Sequence, residues 1–248
     1  MTTVNCKDLK KAIETVICKG KWAVGSTTKN SSLGNEIMIW TDERKLNIAN
    51  ADNSTFVWSK ITAANITSLN NVVIDASIAM KYMRNGSVTL RVDNGQFSIS
   101  GNTETKSFFR TLERHPFADN ILRSVRNLSG DIENDEGFAI SNKTTLRSVA
   151  KTTSKKFSDA IKMCEKVGSG IYQITIDENR LLVSSTTNSE NYMELITLSE
   201  PAGSALMEYV GPFHKFLTGD LTIATNTDNP ILFKTNDVMI LRAPRLRT

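Results

Sequence analysis

The feature that most constrains this chain is an internal repeat. Asp42-Glu43-Arg44-Lys45-Leu46-Asn47-Ile48 returns as Asp177-Glu178-Asn179-Arg180-Leu181-Leu182-Val183, at an offset of 135 residues. Lys81 in KYM and Lys215 in HKF stand 134 apart, and Leu90 in VTLRV and Ile223 in LTIAT stand 133 apart. Single strand-and-turn similarities arise from shared turn chemistry alone, but an offset held this nearly constant over a long stretch argues for a duplicated unit. At 248 residues the chain is long enough for two such units, each with its own core. The polar stretch 111–143 lies almost midway and carries an acidic run at Asp131, Glu133, Asp135 and Glu136, so it reads as a connector. The expected division is 1–112, a connector 113–143, and 144–248.

Periodicity predicts four helices, at 6–21, 76–84, 151–167 and 211–217. In the first, Leu9, Ala12, Ile13 and Val16 form one stripe with Lys7, Lys11 and Glu14 opposite; in the third, Phe157, Ala160, Ile161 and Cys164 oppose Lys155, Asp159, Lys162 and Lys166. The formal net charge is only +4, but these four segments hold 13 Lys or Arg against 4 Asp or Glu, while the remainder holds 17 against 22. Positive charge concentrated on helices beside a net-negative remainder suits a protein with one face toward phosphates. A solvated helix face is the competing reading of the same charges.

Most of the rest predicts strands: 36–40, 45–49, 55–62, 71–74, 87–92, 96–100 and 105–112, then 171–176, 181–185, 192–198, 206–210, 221–225, 231–235 and 238–243. Asp93-Asn94-Gly95 between alternating runs is a hairpin signal. Each half thus reads as helix, strands, short helix, strands, with the polar loop 26–35 lengthening the first. No apolar run approaches the roughly 20 residues of a membrane-spanning helix, and the N-terminus lacks a signal peptide's order, so an intracellular protein is expected. Three cysteines and two distant histidines fit neither a disulfide framework nor a zinc site. Phosphate-binding, zinc-protease and serine-hydrolase motifs are absent, and Gly168-Ser169-Gly170 follows a helix, as a C-cap does.

At the C-terminus, Asp228-Asn229-Pro230-Ile231-Leu232-Phe233 and Leu241-Arg242-Ala243-Pro244-Arg245-Leu246 resemble the Asp-x-Pro-Leu strand start and terminal Tyr-Leu-Ala-Pro-Lys-Ile of DNA sliding clamps of the proliferating cell nuclear antigen (PCNA) type. In element order the resemblance covers nearly the whole chain, and the connector and the loop 26–35 depart from it. It implies an α+β fold of two similar clamp domains, each with two helices packed on antiparallel sheets, joined by an interdomain connector. It also implies a ring, closed as a homotrimer, that encircles duplex DNA without reading sequence and tethers DNA polymerase, the clamp loader and other replication proteins. No catalytic residue, metal or cofactor is implied.

Carried over by position, the DNA-facing residues are Lys10, Lys11, Lys81, Arg84, Lys162 and Lys215; the helical wheel adds Lys7, Lys155 and Lys166. His214 either joins that surface or is structural. Pro230, Leu241, Ala243 and Pro244 match one side of the family's partner groove, and Ala51 resembles the loop that completes it. Phe138 and Ile140 are expected on the connector side, with Ile121, Leu122 and Val125, at helical spacing in 118–128, as rivals. The strands 105–112 and 192–198 are expected to pair between subunits, with Phe109, Leu112, Tyr192 and Leu195 giving apolar contact. The competing classes are a viral processivity factor or checkpoint-ring subunit, and a nucleic-acid enzyme using the acidic linker to hold magnesium. Carboxylates on a polar loop are poorly placed to converge on a metal.

Overall fold

A computed structural model describes residues 1–19, 35–83, 85–101, 106–110, 118–130 and 137–245, and the chain divides into two compact units, Met1–Leu122 and Arg123–Thr248. The first contains β1 (Thr2–Asn5), α1 (Cys6–Val16), β2 (Glu36–Asp42), β3 (Lys45–Ala51), β4 (Thr55–Thr62), β5 (Val72–Asp75), α2 (Ala76–Lys81), β6 (Ser87–Asp93), β7 (Gln96–Ser100) and β8 (Lys106–Arg110). Helix α3 (Ala118–Ser129) follows, then the hairpin β9 (Phe138–Ser141) and β10 (Thr144–Leu146). The second unit continues with β11 (Ser148–Thr153), α4 (Ser154–Glu165), β12 (Ile171–Asp177), β13 (Arg180–Thr186), β14 (Asn191–Thr197), β15 (Ser204–Val210), a 3-10 turn (Phe213–Phe216), β16 (Asp220–Thr225), β17 (Ile231–Lys234) and β18 (Val238–Arg242). Strand, helix, four strands, short helix, three strands therefore occurs twice.

The strands within each unit pair antiparallel. In the first unit they run β1-β6-β7-β8 and β4-β3-β2-β5; in the second, β11-β16-β17-β18 and β14-β13-β12-β15. The repeat extends to single contacts. Asn5 and Thr153, each the last residue of a strand, cap α1 and α4 by accepting from the amides of Lys7 and Lys156. The first helical amides, of Cys6 and Ser154, donate to the carbonyls of Gly86 and Gly219. The β2–β3 and β12–β13 hairpins both turn through a left-handed glutamate, Glu43 and Glu178, each at φ 46°. Asn94 and Gly95 turn the β6–β7 hairpin at φ 49° and 73°, as Asp93-Asn94-Gly95 predicts.

Both long helices bury the stripe that periodicity assigns to them: Leu9, Ala12, Ile13 and Val16 in α1, which packs on β3 and β4, and Phe157, Ala160, Ile161 and Cys164 in α4, which packs on β13 and β14. In the second unit Phe157 and Tyr209 meet Phe233 at ring separations of 5.4 Å, and Tyr172 meets Tyr209 at 5.5 Å with the rings tilted, so aromatic packing ties helix to both sheets.

The structure departs from the expected elements at the helix ends. Residues 151–153 are strand, pairing with 220–222, because β-branched Thr152 and Thr153 favour extended backbone and Thr153 is itself the cap before α4. Helix α1 stops at Val16 and α2 at Lys81. The segment 211–217 forms only a four-residue 3-10 turn, hemmed between Gly211-Pro212 and an extended Leu217. Strands β1 and β11 open the two repeats where periodicity places helices first; four and six residues give too short an alternation to register. Among the described residues no helix is long and apolar enough to cross a membrane.

Candidate functional site

The burial of one stripe on each long helix leaves the opposite one wet. Lys7, Lys10 and Lys11 on α1, Lys155 and Lys162 on α4, Lys166 at its C-cap, Lys81 at the end of α2 and Lys215 in the 3-10 turn are all exposed; Arg84 lies outside the described residues. Lys156, which the helical wheel does not single out, is exposed on α4 as well. Within the second unit α4 packs against the 3-10 turn, and this brings Lys162 and Lys215 to one place: both cations act on the imidazole of His214. Lys162 lies 3.7 Å from Asp159, one turn away and equally exposed, an ion pair worth little in water. The Lys215 ammonium lies 4.9 Å from the Phe216 ring.

His214 is beneath this surface, not on it. It is 6% exposed, and its Nδ1 has no hydrogen-bond partner among the described residues. Burial first, and then Lys162 and Lys215, push its pKa down to about 4 from an ordinary 6.5. As pH falls below about 6.5 the unfolded chain takes up a proton that the folded chain refuses, so this contribution to stability is full above that value and is lost progressively toward pH 4. Urea unfolding across this window should show a loss of up to about 1.4 kcal/mol per pH unit that His214→Leu removes.

Among the residues expected at a partner groove, Pro230, Leu241, Ala243 and Pro244 are half-buried along β17, β18 and the segment that follows. Leu241 pairs with Leu232 in the β17–β18 ladder. Beyond Pro244 the chain is held against β15: the Arg245 amide donates to the Glu208 carbonyl at 2.7 Å, and its guanidinium lies 3.3 Å from the Glu208 carboxylate. Phe138 and Ile140 are half-buried on β9. The Lys234 ammonium lies 4.9 Å from the Phe138 ring and donates to the carbonyl of Ser129 at the end of α3, a favourable place for a cation. Gly137, just before Phe138, has φ 122°, and a Cβ there would collide with the Leu146 carbonyl, so only glycine lets β9 start this close to β10. Of the rivals on α3, Ile121 is fully buried while Leu122 and Val125 are half-buried. Ala51 belongs to the first unit, at the end of β3, where Asp52 closes the next turn by accepting from the amides of Ser54 and Thr55.

The two strands expected to pair between subunits, β8 and β14, are each the outer strand of their sheet in their own unit. On β14, Leu195 is 54% and Met193 56% exposed, whereas Tyr192 is half-buried and its hydroxyl donates to Glu194. Leu112 and the Phe109 side chain lie outside the described residues, as do Asp131, Glu133, Asp135 and Glu136. Elsewhere, among the described residues, no three His, Cys, Asp or Glu side chains gather where they could hold a metal.

No family model matches the sequence, and no curated protein matches it. Solved structures do match the fold. The PCNA of A. fulgidus, in a structure bound to the C-terminal region of FEN-1, aligns over 100% of both chains with a TM-score of 0.70 and 16% identity. The DNA polymerase sliding clamp of Bacillus subtilis aligns over 99% of this chain and 64% of its own, with a TM-score of 0.71 and 17% identity. The DNA polymerase III beta subunit of Pseudomonas aeruginosa aligns over 100% of this chain and 66% of its own, with a TM-score of 0.72 and 11% identity. The chain thus spans about two thirds of the length of these bacterial clamps and all of the PCNA length. It has the sliding-clamp fold.

Proposed function

We propose that this chain is a sliding clamp of DNA replication, with clamp domains 1–112 and 144–248 joined by the connector 113–143, that closes as a homotrimer around duplex DNA and acts as a processivity factor. The observation that carries the reading is the duplicated unit whose two long helices each bury one face and turn lysines outward on the other. Lysines on a ring's inner wall act as point charges on phosphate oxygens, holding a duplex without fixing register, and such contacts carry no sequence information. The ring itself then supplies retention that weak contacts do not. The activity is that of a tether, with DNA polymerase, the clamp loader and other motif-bearing proteins as partners and no reaction of its own.

Topology tests it. Protein reassembled from dilute solution on a circular plasmid should co-elute with the DNA, and a single restriction cut should release it. Retention indifferent to the cut would mean binding by contact and would overturn encirclement.

The partner groove is proposed along Pro230, Leu241, Ala243 and Pro244, with Phe138 and Ile140 on the connector side. Deleting 243–248 removes the Arg245 tie to Glu208 and the groove's C-terminal side while sparing every described strand. The truncated chain should lose binding of a polymerase-tail peptide by calorimetry and keep its oligomeric state. Unchanged affinity would place the groove elsewhere.

A further inference from the structure

We propose that Lys234 is a positioning residue of the partner groove: it ties strand β9, and with it the ring of Phe138, to the sheet that carries Leu241. The proposal rests on the groove reading above and deepens it. Strand register fixes where Lys234 stands. Leu232 pairs with Leu241 and Lys234 with Met239, and Lys234 follows Leu232 by two residues, so it shares the face of β17 that meets Leu241.

From that face the half-buried Lys234 reaches two parts of the connector side. Its ammonium donates to the Ser129 carbonyl at 2.8 Å and lies 4.9 Å from the Phe138 ring. Ser129 ends α3, and its carbonyl is one of the last four, which no helical amide reaches, so a cation is favoured there. Phe138 opens β9, which pairs with β10 alone among the described strands. A two-stranded ribbon is marginal by itself, so this hairpin needs ties to the rest of its unit. Asn226 ties β10: its side chain accepts from the Arg147 amide at 2.9 Å and donates to the Thr145 carbonyl at 2.7 Å. Lys234 supplies the tie on the β9 side, through a charge-assisted hydrogen bond and a cation over a ring. Removing its charge therefore loosens the Phe138 side of the groove and leaves the Asn226 tie and the Leu232–Leu241 pair in place.

Calorimetry with a polymerase-tail peptide and hydrogen exchange on the free protein test this together. Lys234→Met keeps the apolar stem and removes the charge and the donors. If it leaves the competent arrangement populated about one part in ten, the apparent Kd rises about tenfold. The amides of 138–141 should exchange faster in the same variant, with an unchanged mass by light scattering. Lys234→Arg, which restores charge and donors, should recover both properties, and Lys234→Gln, with a neutral donor, should fall between. Phe138→Leu should weaken binding by itself, and its loss combined with that of Lys234→Met should be less than additive. A Lys234→Met chain that binds as tightly as wild type, or exchanges 138–141 no faster, would overturn the inference and leave the groove standing. Additive losses would show that Lys234 does not act through Phe138 and overturn it too. A peptide that the wild type does not bind would sink the groove and the inference with it.

Discussion

Reversing Lys10, Lys11, Lys166 and Lys215 together to glutamate should release the protein from DNA while leaving fold and assembly untouched. The four are exposed on α1, at the C-cap of α4 and in the 3-10 turn. Removing one lysine–phosphate interaction should make the salt dependence of log K shallower by roughly 0.9, so removing four should cost on the order of a thousandfold in affinity at about 0.15 M salt. Primer extension with the cognate polymerase should shorten correspondingly. Normal extension at physiological salt by a well-folded quadruple variant would show that these helices do not face the duplex.

The second large effect concerns assembly. The wild-type chain should scatter light at three times its 27.5 kDa mass at micromolar concentration, and one proline in β14 should reduce it to a monomer. Neighbouring residues of a strand aim their amides alternately inward and outward, so one of Glu194→Pro and Leu195→Pro removes a ladder bond to β13 and the other only an outward donor. Circular dichroism identifies the outward one as the variant that keeps its structure. That variant should be monomeric, since a sheet edge deprived of its donor no longer templates a partner strand. A trimer indifferent to it, or a monomeric wild type, would remove the proposed pairing of β14 with β8.

How much of this was legible in the sequence depends on the range of the forces involved. The hairpins at Asp42 and Asp177 and the Asp93-Asn94-Gly95 turn are read from a few adjacent residues, because turn chemistry is local. The stripes of α1 and α4 follow from periodicity, because burial of one helix face is written at spacings of three and four. The repeated order of strands needed only those signals twice over. The terminal Leu-Arg-Ala-Pro-Arg run pointed to the clamp fold.

What only the tertiary structure decided are matters of what lies beyond a residue's own element. The end of strand β11 reads as the start of a helix, but its pairing with β16 holds Lys151, Thr152 and Thr153 extended until Thr153 caps the helix. Nothing in Phe213-His214-Lys215-Phe216 says that His214 turns inward, lacks an Nδ1 partner among the described residues and stays neutral; burial with Lys162 and Lys215 beside it does that. Lys234 covers the ring of Phe138 from 96 positions away in sequence. Exposure of Met163 and Leu195 is likewise invisible to a pattern that counts both as apolar. Side-chain chemistry determines which groups prefer to leave water, and the packed sheets and helices determine which of them still face it.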